Sequence, residues 1–300
     1  MEGGMTIKPN SLLRTIVYTG MALIAFAANS VLGRLALGDN TIDASSFTAV
    51  RLLSGAIVLF AITRFRRNAT VSDTRGSWPA GMMLFLYAVT FSFAYITLDT
   101  ATGALILFGA VQITIILLSL LSGNRLHLSE WLGVGIAFGG FVYLFLPDIS
   151  TPSITGFVLM SVAGIAWGIY TIKGRGSQKP LLDTAYNFIR TVPLVIILVI
   201  VMMRNTHYST EGILLAVLSG AVASGIGYSI WYAALGGLSA TQSAVVQLSV
   251  PVIAALGGVV FVSEPITLRL MLAGSMILGG ILLVILGRYY FVQARLNKPL

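Results

Sequence analysis

The side chains in this sequence that could do chemistry are mostly aromatic rings and amides. Tyr87, Phe91 and Tyr95 recur every four residues and so fall on one face of a helix. Tyr228, Trp231 and Tyr232 form a second cluster, and Trp167 sits beside Gly164 and Gly168. Gln112, Gln242 and Gln247, with Asn29 and Asn187, add uncharged hydrogen-bonding groups. Rings with a few amides describe a cavity that stacks an apolar body and orients it. The alternatives are ordinary packing or an interfacial belt. Against a belt, Tyr87, Phe91 and Trp231 stand inside apolar runs rather than at their ends.

Two cations accompany the rings. Arg51 and Arg190 each lie about eight residues into an apolar run, roughly 12 Å deep at 1.5 Å per residue. A guanidinium at that depth costs several kcal/mol unless it snorkels or finds partners. Each is therefore either a structural tie, bonded to backbone carbonyls or polar residues of its own half, or a gate or substrate contact. The groups an enzyme would need are missing: His127 and His207 fall in opposite loops, and every carboxylate lies at the end of an apolar run or between runs. No metal site, no cofactor and no catalytic residue is expected from such a set. Proton-coupled carriers keep an Asp, Glu or His inside the bundle, so the pattern favours a facilitator, or coupling without a buried carboxylate.

The elements that must hold these residues follow from composition. The chain has 300 residues, 57% hydrophobic and only 9% charged, where soluble domains run near a quarter charged. An all-α integral membrane protein is expected. Apolar windows predict ten transmembrane helices, at 13–37, 43–63, 79–98, 101–121, 129–146, 154–172, 182–203, 211–235, 239–262 and 266–287. The run from Leu12 to Leu37 is too long for a signal sequence and reads as a retained helix. The net charge of +8 comes from Lys and Arg in short gaps, which is a topology signal and not a nucleic-acid surface. Arg64, Arg66, Arg67, Arg125, Lys173 and Arg288 fall on one side and Arg34, Arg204 and Arg269 on the other, which places both termini in the cytoplasm. The absence of cysteine excludes disulfides and thiolate metal sites.

The chain also resembles itself. Within Ser239–Pro265, the stretch from Ala240 moved back by 140 positions falls on Thr100–Arg125, Phe47–Arg51 resembles Tyr186–Arg190, and Tyr87 with Phe91 resembles Tyr228 with Trp231. Five spans precede residue 148 and five follow, so the expectation is two inverted five-helix repeats, 1–148 and 149–300. Such repeats place a substrate site near the midplane. Gly133, Gly135, Gly139 and Gly140, and likewise Gly274, Gly279 and Gly280, are expected to let helices approach closely. Pro251 should kink the ninth span and is a candidate hinge, with Val111 at its place in the first half.

With the inverted halves, Arg51, Arg190, Pro251, the Ser263–Glu264–Pro265 corner and the Gly274–Gly280 helix in view, the sequence resembles the EamA type of the drug/metabolite transporter superfamily. Within it, the likeness is greatest to the YddG-type bacterial exporters of aromatic amino acids. The resemblance implies a multi-pass carrier of the bacterial inner (plasma) membrane with a cavity opened alternately to each side. The implied partner is a small-molecule substrate, a neutral and chiefly aromatic amino acid, besides the lipid bilayer itself. Tyr87, Phe91, Tyr95, Gln112, Trp167, Trp231, Gln242 and Gln247 are the expected substrate-binding residues. The alternatives are an exporter of drugs or lipophilic cations, a membrane-embedded enzyme and a scaffold protein. Monomers suffice for such a cavity, and the sequence does not fix an oligomeric state.

Overall fold

The structure is a computed structural model and describes residues 9–65, 75–121, 128–144, 152–174, 177–238 and 240–296. Among these, the chain forms helices α1 (Pro9–Gly38), α2 (Ala44–Phe65), α3 (Trp78–Ala94), α4 (Thr100–Leu121) and α5 (Leu128–Leu144). They are followed by α6 (Ile154–Gly174), α7 (Pro180–Met202), α8 (Thr210–Leu235), an interrupted α9 between Ala240 and Val262, and α10 (Leu268–Leu296). Of these, 8 are long and apolar enough to cross a bilayer, while α3 and α5 are shorter apolar helices. The chain is thus an all-helical, multi-pass membrane protein.

At 17 residues, α3 spans about 25 Å, less than the expected 79–98 run. It stops because Thr97 and Leu98 both turn their N–H groups back onto the Ala94 carbonyl, at 3.1 Å each. Its start is set by Ser77, whose hydroxyl accepts from the Ala80 N–H at 3.3 Å. The α9 span departs further from expectation. It breaks after Ala240–Gln247 at residues 248 and 249, resumes as Val250–Gly257 and ends in widened π-helical turns over Gly258–Val262. Pro251 therefore sits in the first turn of the second piece, where a missing N–H costs nothing, and not in the middle of a continuous kinked helix. A second widened stretch, Leu218–Ile226, lies within α8.

Successive helices alternate direction, so the turns fall at two ends. The end shared with residue 9 is called proximal and the other distal. At the distal end, residues 41–43 pair with 207–209 through Ser209 N–H to the Thr41 carbonyl (2.8 Å) and Asp43 N–H to the His207 carbonyl (3.0 Å). Asp43 also caps α2, accepting from the Ser45 and Ser46 N–H groups at 3.0 and 2.9 Å. Partial burial pushes its carboxyl up, but hydrogen bonds from Ser45, Ser46 and His207 outweigh that and hold it below the usual carboxylate value.

Side by side, α5 pairs with α10, α3 and α4 with α6, α2 with α7 and α8, α1 with α8 and α9, and α4 with α9. The α5–α10 seam explains some of the glycines. A Cβ on Gly133 would lie 2.5 Å from the Gly280 carbonyl, and one on Gly280 would lie 2.5 Å from that of Gly133. Only hydrogen fits between backbones that close. Gly135 and Gly279 instead face open space, so the sequence expectation of scaffold glycines holds for one helix face and not for the whole set. Gly133→Ala should lower folded-state stability by about 1–3 kcal/mol through overpacking, while Gly135→Ala should not. Thermal melting of the two variants in detergent checks this, and equal melting would remove the seam from the account.

Candidate functional site

Arg51, 2% exposed, is the largest fully buried side chain among the described residues and lies in the third turn of α2. Its place is fixed from behind by α8: a Cβ on Gly220, inside the widened stretch, would collide with the Arg51 carbonyl oxygen, so the two backbones touch there. The stretch is pinned to α1 through Asn29, whose Oδ1 accepts from Ser219 (2.8 Å) and Ser224 (3.4 Å). Ahead of the helix, Arg51 Nη2 donates to the Tyr87 hydroxyl at 2.9 Å. Its Cζ stands 4.5 Å from the centre of the Phe91 ring and 5.3 Å from that of Tyr87. Nη1 is buried and has no hydrogen-bond partner among the described residues. One charged hydrogen bond contributes about 1.5–3 kcal/mol and two cation–π contacts about 1–2 each. Burying an ion costs at least as much, so the cation is held but not neutralised.

From Arg51 the rings run in both directions. Phe91 meets Tyr95 edge-on at 4.8 Å and Tyr87 at 5.5 Å. Tyr87 meets Trp167 of α6 at 4.9 Å, and Trp167 stacks on Tyr228 of α8 at 5.5 Å and on Tyr170 at 5.1 Å. Helices α2, α3, α6 and α8 thus build one continuous aromatic body around a single cation. Its proximal edge is polar: Tyr170 donates to Thr184 Oγ1 at 3.3 Å, and Thr184 is bonded to the Tyr232 hydroxyl at 2.8 Å. Asn187 Nδ2 reaches the Tyr170 hydroxyl at 3.5 Å. Sequence reasoning missed Tyr170, Thr184 and Phe26; Tyr170 stands one helical step from Trp167, a spacing that could have found it.

The expected site residues do not all meet there. Tyr87, Phe91, Tyr95 and Trp167 form the body just described. Trp231 belongs to a separate small cluster with Ala22 and Ala234, and Phe26 touches both its ring and that of Tyr228. Gln112 is buried in α4. Gln247 donates to the Ser243 carbonyl of its own helix at 3.0 Å, and the side chain of Gln242 lies outside the described residues. The paired arginines differ most. Half-buried Arg190 bonds backbone carbonyls, those of Arg75 and of Tyr186 (3.3 Å), and lies 5.9 Å from the Trp78 ring centre. It bonds a carbonyl of its own half, that of Tyr186, and also ties α7 to the turn before α3 in the first half of the chain.

The distal end is closed by a different set. Glu264, in the turn after α9, accepts from Arg34 Nε of α1 at 2.8 Å and from the Thr100 N–H at 2.8 Å, capping α4. Arg34 also approaches Asp99 at 3.8 Å and donates to the Tyr95 carbonyl at 3.4 Å. A cavity of about 90 Å³ lies beside it, lined by Asp99, Thr102, Glu264 and Arg269. A larger one, about 530 Å³, opens between α1, α2 and α8 near Arg14 and Tyr18. Neither of these two is lined by Arg51 or Tyr87.

The profile of the EamA-like transporter family matches residues 154–286. Two uncharacterized transporters of Archaeoglobus fulgidus are each 26% identical, one over 67% of this chain and 73% of its own length, the other over 81% and 87%. The chain belongs to the EamA-like transporter family. An uncharacterized protein of Pseudomonas aeruginosa, PA1977, is 47% identical over 92% of this chain and 96% of its own. A solved crystal structure of a protein shares the fold, with a TM-score of 0.60 at 20% identity over 93% of this chain and 98% of that one. In this EamA-like transporter, the matched region carries Trp167, Tyr228, Arg190 and Glu264, whereas Arg51, Tyr87 and Phe91 come from the stretch before it.

The distal cluster of the EamA-like chain yields a graded expectation. Glu264→Gln keeps an acceptor for Thr100 and loses only the ion pair, so it should cost about 1 kcal/mol. Glu264→Ala also strands a helix N–H and should cost about 1–3 kcal/mol more. In a double-mutant cycle with Arg34→Gln, melting of the purified protein should reveal coupling. Strict additivity would mean that the pair contributes nothing to closure.

Proposed function

We propose that this transporter exports aromatic and other neutral amino acids, or similar small amphipathic metabolites, across the bacterial inner membrane as a facilitator working by alternating access. The observation that carries the reading is the aromatic body itself. A ring of α3 meets a ring of α6, which in turn stacks on one of α8, so the surface that would stack a substrate is shared between the two halves of the sequence. The halves 1–148 and 149–300 are read as inverted five-helix repeats. In support, exchanging helices five apart maps α3–α6 onto α8–α1, α4–α6 onto α9–α1 and α3–α7 onto α8–α2, and leaves α2–α7, α4–α9 and α5–α10 as self-paired contacts. Facilitation agrees with the placement of the described carboxylates, which all lie in turns or in the first turn of a helix.

Alternating access needs a closure at each end that joins the halves. The distal closure is Glu264 with Arg34 and Thr100. The proximal one joins the turn before α3 to α7: Asp183 Oδ1 accepts from the Gly76 N–H and Asn187 Oδ1 from the Ser77 N–H, both at 2.9 Å, beside the Arg190 tie. Rocking the halves would release one set while the other held. The Lys and Arg distribution assigns the proximal end, with both termini, to the cytoplasm. Export of a lipophilic cation fits less well. A second cation about 5 Å from Arg51 would be repelled by about 3 kcal/mol at an effective dielectric near 20.

Uptake of labelled phenylalanine into proteoliposomes tests the reading. The parent should transport it, and Trp167→Ala and Tyr87→Ala should each reduce the rate by at least about tenfold, the effect of losing about 1.4 kcal/mol of stacking. No transport by the parent, or equal transport by all three well-folded proteins, would reject an aromatic amino acid substrate.

A further inference from the structure

The proposed substrate class can be narrowed by asking what Arg51 lacks. Its side chain is 2% exposed, and Nη2 is satisfied by the Tyr87 hydroxyl while Nη1, equally buried, has no partner among the described residues. The Phe91 and Tyr87 rings stand 4.5 and 5.3 Å from its Cζ and offer a π face, which is no lone-pair acceptor for the Nη1 donors. Arg34, at the distal end, is answered by Glu264 and Asp99. Since every described carboxylate lies in a turn or a first helical turn, none stands at the depth of Arg51. A buried guanidinium with one open donor pair is built to meet a carboxylate.

The same inventory says what the site does not provide. Several polar groups near the rings are hydroxyls and amides engaged with each other: Tyr170 with Thr184, Thr184 with Tyr232, and Asn29 with Ser219. A carboxylate neutralises Arg51. An ammonium on the same molecule restores an unbalanced positive charge next to it, with no anion to answer it.

We infer that Arg51 Nη1 anchors the carboxylate of the transported molecule, and that the site takes aromatic monocarboxylates without an ammonium group at least as tightly as the corresponding amino acids. This rests on the aromatic substrate reading above. The ligand shape that fits is a ring seated among Tyr87, Phe91 and Trp167 with an acid group two or three bonds away.

The test uses the purified, reconstituted full chain and a four-member series: 3-phenylpropanoate, phenylalanine, methyl 3-phenylpropanoate and 2-phenylethylamine, with sodium chloride as a small-anion control. Binding is read by thermal shift and by quenching of tryptophan fluorescence, and transport by competition with labelled phenylalanine. 3-Phenylpropanoate should stabilise the protein and compete no more weakly than phenylalanine. The ester and the amine should bind at least about tenfold more weakly, the scale of one charge-assisted hydrogen bond. Arg51→Gln should abolish the preference for acid over ester, and Arg51→Lys should keep part of it. If Arg51→Gln does not fold, the ligand series on the parent still decides. Ester or amine binding as well as the acid would overturn the anchor, as would chloride protecting as well as 3-phenylpropanoate. The two readings fail separately. Phenylalanine transport without any effect of 3-phenylpropanoate sinks the anchor alone, whereas 3-phenylpropanoate binding without phenylalanine transport sinks the amino acid reading and leaves the anchor standing.

Discussion

A positive charge buried at membrane depth must be answered by something, and in this protein the answer is incomplete. Arg51 receives one hydroxyl and two ring faces. That is enough to keep it inside, because cation–π contacts strengthen where water is excluded. Much of the surrounding structure can be understood as support for that arrangement. Gly220 lets α8 press against the backbone of α2, Asn29 steadies the widened turns that carry Gly220, and Trp167 and Tyr228 close the rings from the other side.

The second constraint is that the bundle is stitched at both ends by different chemistry. Distally, one carboxylate serves two donors, the Arg34 guanidinium and the first N–H of α4. Proximally, side chains of α7 hold backbone N–H groups of a turn. The stretch after Ser239 and the stretch after Thr100, which resemble each other in sequence, are thereby joined: Glu264 at the end of one caps the start of the other. Symmetry of sequence has not produced symmetry of role. Arg51 and Arg190 stand in similar sequence contexts, yet one faces rings in the interior and the other bonds backbone carbonyls at the proximal end.

The helical architecture was legible because twenty-residue apolar runs and their charged gaps have few other meanings. The membership of the aromatic body was legible in part. Spacing by four residues brought Tyr87, Phe91 and Tyr95 to one face, and Trp167 was marked by its glycines. Spacing along one helix cannot say which face of a neighbour it meets, so Trp231 was placed with Tyr228 although it packs on Ala22 instead. The break before Pro251 was hidden for a similar reason. A proline announces a missing N–H, and whether the helix bends around it or restarts at it depends on neighbours such as Ser249, whose hydroxyl takes the Val246 carbonyl at 2.6 Å. The Arg34–Glu264 pair joins residues 230 positions apart and has no local signal at all.

The central claim is that a buried, incompletely answered guanidinium inside an aromatic body recognises the acid group of the cargo. An experimental structure of the reconstituted protein with 3-phenylpropanoate bound tests it most directly. The account predicts a carboxylate within about 3 Å of Arg51 Nη1, with the ligand ring lodged among Tyr87, Phe91 and Trp167. A ligand seated in the groove between α1, α2 and α8 beside Arg14, with Arg51 unchanged, would contradict it.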